Sequence, residues 1–125
     1  MMNKVVLFIL MSLTFSSCVN EKKRHIERLN QLIGTHFDYK DERITMAQEQ
    51  DFSSLITEIT IPLTPIEKQQ ILSNNKHFFR YSETKIDSFI FKVFSYHFEN
   101  ERIRESINIG KDSNRLNYFI QEGGL

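Results

Sequence analysis

Residues 88–98 constrain the fold more than any other stretch of this chain. Phe89, Phe91 and Val93 fall on one side of an extended segment, and Ile90, Phe94, Tyr96 and Phe98 on the other. A strand that is apolar on both faces is normally covered on both faces, so this one is expected to be central in its sheet. The polar residues Glu99-Asn100-Glu101 then supply a turn, after which Ile103, Ile107 and Ile109 alternate with Arg104, Ser106 and Asn108. Two such segments joined by a short turn predict an antiparallel hairpin. Glu105 interrupts the apolar side of the second segment, which predicts an end or edge position for it.

The other elements follow from periodicity and caps. Ile26, Leu29, Leu32 and Ile33 recur at helical spacing over residues 25–33, with Gly34 placed as a helix-ending glycine. Phe37 and Tyr39, then Ile44 and Met46, suggest short extended segments, and residues 48–54 read as a polar connection. Leu55, Thr57, Ile59 and Ile61 share one face of a strand that Pro62 stops. Thr64-Pro65-Ile66-Glu67 combines a threonine cap, a proline in the first turn and a glutamate that can reach back, so a helix is expected from Pro65 to Asn74 or Lys76, burying Ile66, Ile71 and Leu72. Leu63 finds Lys68, not an apolar residue, where a hydrophobic staple would close. Leu116, Phe119 and Ile120 form an i, i+3, i+4 stripe after a capping Asp112 or Ser113, which predicts a last helix ended by Gly123-Gly124. The expected fold is therefore α+β: a small antiparallel sheet with a hairpin in the C-terminal half, packed against two or three short helices.

Composition bounds the function classes. The chain has 125 residues, with 16 basic and 16 acidic groups, which allows one ordinary domain and provides no basic field for nucleic-acid phosphates. Its one cysteine excludes an internal disulfide. That cysteine follows Lys4, an apolar run over residues 5–13 broken only by Ser12, and the small residues Ser16-Ser17. The run is too short to span a bilayer and matches a secretory leader. Phe15-Ser16-Ser17-Cys18 resembles the lipobox of bacterial lipoproteins. That resemblance implies cleavage before Cys18, a diacylglycerol thioether on its sulfur and an acyl chain on the new N-terminus; several chains are needed because one gives only marginal membrane affinity.

On this reading residues 1–17 are a signal peptide, 18–24 a lipidated cysteine with a polar tether, and 25–125 a single α+β domain. Lys22, Lys23 and Arg24 are placed to meet anionic headgroups or water. Only Glu21 is acidic directly after the cysteine, which favours the periplasmic face, in the outer membrane, over surface export. Leader, lipid cysteine, the Leu63-Thr64-Pro65-Ile66-Glu67-Lys68 helix start and the following aromatic strand together are similar to small lipoproteins of Bacteroidota. No catalytic residue comes with that likeness.

Candidate sites are few. Phe78, Phe79, Tyr81 and the aromatic residues of the 88–98 strand form a dense ring cluster, read as hydrophobic core, with Tyr81 and Tyr96 the two expected to reach a surface. His25, His36, His77 and His97 show no metal-ligand spacing, and there is no second cysteine. His36-Phe37-Asp38 with Asp41 and Glu42 is the densest polar cluster. His97, Glu99 and Glu101 share one side if the strand extends through them. Neither set has the glycine a calcium loop needs, so no metal or other cofactor is expected. A glycine-flanked serine and a phosphate-cradling glycine loop are both absent from the sequence. The expectation is a lipid-anchored, non-enzymatic interaction module of the bacterial cell envelope, binding a protein or small molecule through a sheet face or the hairpin end, with Tyr81, Tyr96, His97, Glu99 and Glu101 as partner-binding candidates. An immunity or inhibitor lipoprotein neutralising a toxin or enzyme is the alternative, and a small hydrolase the next.

Overall fold

A computed structural model of the chain describes residues 20–123, so the leader, the cleavage point and Cys18 lie outside the described residues. Two compact units divide between Tyr39 and Lys40. In the first, a helix (α1) covers 20–33, beginning earlier than expected, so that residues 20–24, read as a tether, are helical. Its stripe of Ile26, Leu29 and Ile33 is buried, and Gly34, at φ 70°, ends it by donating to the Asn30 carbonyl. The Asn30 side chain then holds the exit loop, its Oδ1 accepting from Thr35 Oγ1 and Phe37 N at 2.7 and 3.0 Å. Phe37 and Tyr39 are in loop and turn, not in a strand.

The second unit is built on strands β1 (Thr45–Gln50), β2 (Ser54–Pro62), helix α2 (Pro65–Asn74), and strands β3 (Arg80–Ile86), β4 (Phe89–Glu99), β5 (Ile103–Gly110) and β6 (Arg115–Gly123). All pairings are antiparallel, in the order β1-β2-β6-β5-β4-β3. The fold is α+β as expected, but the sheet is six-stranded and larger than the sequence suggested.

The expected last helix is strand β6. Its Leu116, Tyr118 and Ile120 also recur at every second position, and β2 and β5 each have an edge it satisfies. A helix there would have left both ladders unpaired. One face of the sheet is the core: Ile59, Tyr118 and Ile107 lie in one cross-strand row and Ile61, Leu116 and Ile109 in the next, all fully buried. Glu105 is correspondingly not at an edge, because β5 lies between β6 and β4. It is buried and accepts the Tyr118 hydroxyl at 2.9 Å, which offsets part of the cost of an interior carboxyl.

Helix α2 begins as its capping box predicts. Thr64 Oγ1 accepts from Glu67 N at 3.1 Å, and Glu67 Oε1 accepts from Thr64 N at 2.9 Å. Ile71 is buried, whereas Ile66 is exposed. The missing staple has a replacement: Lys68 Nζ donates to the carbonyls of Gly110, Lys111 and Ser113 at 2.8, 2.6 and 2.7 Å, holding the β5–β6 turn. Glu67 also takes Arg43 in a two-point pair, 2.7 and 2.9 Å, and Arg43 Nε meets Asp41 at 2.9 Å. Arg43, and after it the Thr64 amide, draw the Glu67 carboxyl down to about 2.

The aromatic strand is the largest departure. β4 is one strand from the edge, and its N-terminal part is open. Ile86, Phe89, Ile90 and Phe91 are 55, 69, 59 and 54% exposed. Pairing of β4 with β5 starts at Val93↔Gly110, and the Lys92 carbonyl accepts from Lys111 N at 3.0 Å, so residues 89–91 pair only with β3. The rings read as core therefore divide. Phe79 is buried; Tyr96 is half-buried against the Phe78 and Phe79 rings of the turn that follows α2, and Phe94 is half-buried against Tyr81; Phe98 is exposed at the far end of β4; and Phe89 and Phe91 stand on an arm projecting past the sheet.

Candidate functional site

The face opposite the core is polar and carries side chains that the ladder registers bring into rows. Thr60, Asn117, Asn108 and Ser95 stand side by side on β2, β6, β5 and β4. Thr60 Oγ1 donates to Asn117 Oδ1 at 3.2 Å and Ser95 Oγ to Asn108 Oδ1 at 2.8 Å. The next row runs Glu58, Phe119, Ser106, His97, and the one beyond it Ile56, Gln121, Arg104, Glu99. All of the residues contributed by β5 and β6 to these rows are half-buried except Arg104, which is exposed. This face is consequently reachable along its middle strands, where the opposite face is fully buried.

A depression of about 290 Å³ opens over the last two rows, with the Phe119 ring in its floor and His97, Glu99, Arg104, Ser106 and Gln121 around it. Arg104 Nε and Glu99 Oε1 pair across it at 3.1 Å, both largely in water. A second depression of about 240 Å³ adjoins it at the β4–β5 turn and shares Glu99, Arg104 and Gln121. The turn is well held: Asn100 Oδ1 accepts from Arg102 N and Ile103 N at 3.0 and 2.9 Å, and Gly123 N donates to the Arg102 carbonyl at 3.0 Å. Glu101 therefore projects from a fixed turn into the second depression.

The sequence-named residues separate into two groups. His97, Glu99 and Glu101 come together at this end of the open face. Tyr81 and Tyr96 belong to the other face, because the registers Tyr81↔Phe94 and Tyr96↔Ile107 put them with the core rows. Tyr96 packs edge-on against Phe78, ring centres 5.5 Å apart. Tyr81 is exposed, and its hydroxyl donates to Glu83 at 2.7 Å, which pushes its ionisation up to about 12. Arg104, Ser106, Phe119 and Gln121 complete the site and were not singled out from sequence. The polar side of the β5 alternation pointed to the first two, whereas a helical reading of residues 113–122 hid the other two.

Together the two depressions present the cations Arg102 and Arg104, the carboxylates Glu99 and Glu101, the His97 imidazole, the Gln121 amide, the Ser106 hydroxyl and the Phe119 ring, on backbone fixed by ladder pairing and by the Asn100 turn. They suit hydrogen-bonded recognition of a polar surface. Among the described residues no group of three or more His, Cys, Asp or Glu side chains is placed to hold a metal ion, and the expected dense cluster near His36 gives none. No helix among them is long and apolar enough to cross a membrane. No protein-family model, curated protein or solved structure matches the chain.

Proposed function

We propose that this protein is a lipid-anchored binding module of the bacterial cell envelope, without catalytic activity, that holds a partner on the open face of its sheet at the β4–β5 turn. The observation that carries the reading is the gathering of His97, Glu99, Arg104, Ser106, Gln121 and Phe119 around one depression on rigid strands. Exposed polar side chains around an apolar floor, placed on internal strands, are the usual makings of a recognition surface. The anchor is read from Phe15-Ser16-Ser17-Cys18, and the periplasmic face of the outer membrane from the single acidic residue that follows.

Two measurements test the reading separately. Cys18→Ala should abolish palmitate labelling and release the protein from the membrane fraction; unchanged fractionation would overturn the anchor. Crosslinking in intact cells followed by pull-down should recover a discrete partner whose yield falls when Arg104 is reversed to Glu. A reproducible hydrolytic activity that disappears in His97→Ala or Glu99→Gln would replace binding with catalysis.

A further inference from the structure

The arm of residues 83–92 is a two-stranded ribbon that ends in the tight turn Asp87-Ser88. Two strands alone are marginal in water; three or more, or a covering element, are needed for independent stability. Here the ribbon exposes apolar groups on both faces: Ile90 on the core side, and Ile86, Phe89 and Phe91 on the other. Its outer strand β3 is a sheet edge with every residue exposed. A two-residue turn closes on a hydrogen-bonded pair, here Ile86 and Phe89. By alternation Tyr81, Glu83 and Lys85 then turn their amides and carbonyls away from β4, towards any strand laid alongside.

The charges on that edge select the strand. Two β3 edges related by a two-fold axis pair antiparallel, and the axis must pass through one residue for side chains to stay on their own faces. Centred on Glu83 or on Lys85, like charges oppose. Centred on Thr84, Glu83 of each copy faces Lys85 of the other, twice. Lys92, already opposite Glu83 across the ribbon, then extends a row of alternating sign, Lys92-Glu83-Lys85, across the join. On the other face Phe91 and Thr84 of one copy meet Thr84 and Phe91 of the next. The ribbon becomes a four-stranded sheet.

We propose that β3 is the self-association edge of this protein, joining two copies through antiparallel pairing centred on Thr84. The proposal is independent of the open face and of the lipid anchor. It is tested on the full chain in mild detergent, with Cys18 retained as the baseline. Non-hydrogen-bonded cross-strand pairs lie about 4.5 Å apart at Cα, within disulfide reach. Thr84→Cys, an exposed edge substitution, should therefore give a disulfide-linked dimer on mild oxidation, whereas Ser82→Cys and Ala47→Cys should not. Glu83→Lys should weaken dimerisation on the order of tenfold, because it places two like-charged pairs across the join. The swap of Glu83→Lys with Lys85→Glu should restore it. A Thr84→Cys chain that stays monomeric, or a swap that fails to rescue, overturns the proposal. So does a monomeric Cys18→Ala chain that floats with phosphatidylglycerol vesicles and stops doing so when Phe91→Ser is added, since that assigns the arm to lipid.

Discussion

Ile107 and Phe91 are both apolar residues of adjacent strands in one sheet, yet the first is fully buried and the second more than half exposed. The difference lies in what flanks them. Ile107 has β6 on one side and β4 on the other, and its row continues to Ile59 across the sheet. Phe91 has only Thr84 beside it, because β5 ends at Gly110, opposite Val93. Ladder neighbours, not the apolarity of a segment, decide which side chains the core receives. The clamps follow the same division: Lys68 on the β5–β6 turn and Glu67 on Arg43 both secure the buried half.

Truncation should separate the two regions most widely. Ile107→Ala should cost about 3–4 kcal/mol in denaturant unfolding, the usual range for a filled core site, whereas Phe89→Ala in the arm should change stability by less than about 0.5 kcal/mol. Equal losses at the two positions would mean that the arm is covered in solution.

Acid should act on the buried half alone. The Glu67 carboxyl is held near 2 in the folded chain against an ordinary 4.5, so the folded state binds this proton less readily than the unfolded one. Its stabilisation is thus fully present above the ordinary value and is lost as pH falls towards and through 2. Discounted for partial solvent screening, the effect is about 1–2 kcal/mol. Chemical denaturation of the native chain and of Glu67→Gln should show that gap at pH 7 and its narrowing below about pH 4. A gap constant with pH would remove Glu67 from the account.

Lys68→Met leaves three turn carbonyls to water and should cost about 1 kcal/mol. Amide exchange should quicken at residues 110–114 and stay unchanged at 83–92.

Much of the buried half was legible in the residues. The capping box at Thr64 and Glu67 set the start of α2, the alternation at 55–61 set β2, and the turn at Asn100 set the β4–β5 hairpin. The arm was not read correctly, although the hairpin register contains the reason. A turn near Asn100 and an end of pairing beside Gly110 leave nothing opposite residues 89–91 but the preceding strand. β3 itself, Arg80-Tyr81-Ser82-Glu83-Thr84-Lys85-Ile86, has no apolar alternation to announce it, since neither of its faces is buried. β6 was hidden because Leu116, Phe119 and Ile120 satisfy the helical period while Leu116, Tyr118 and Ile120 satisfy the strand period, and only the unpaired edges of β2 and β5 decide between them. The site inherited both outcomes. Period two along the hairpin brought His97 and Glu99 to one side, and the misread β6 concealed Phe119 and Gln121.

On the function proposed, a cell-envelope partner occupies the open face at the β4–β5 turn. A photoreactive residue replacing His97 in the full chain, irradiated in intact cells, tests it most directly, with the same residue at the exposed Lys76 as comparison. The account predicts a discrete adduct from position 97 that disappears when Arg104 is changed to Glu, and none from position 76. No adduct from position 97, or the same adducts from both positions, would contradict it.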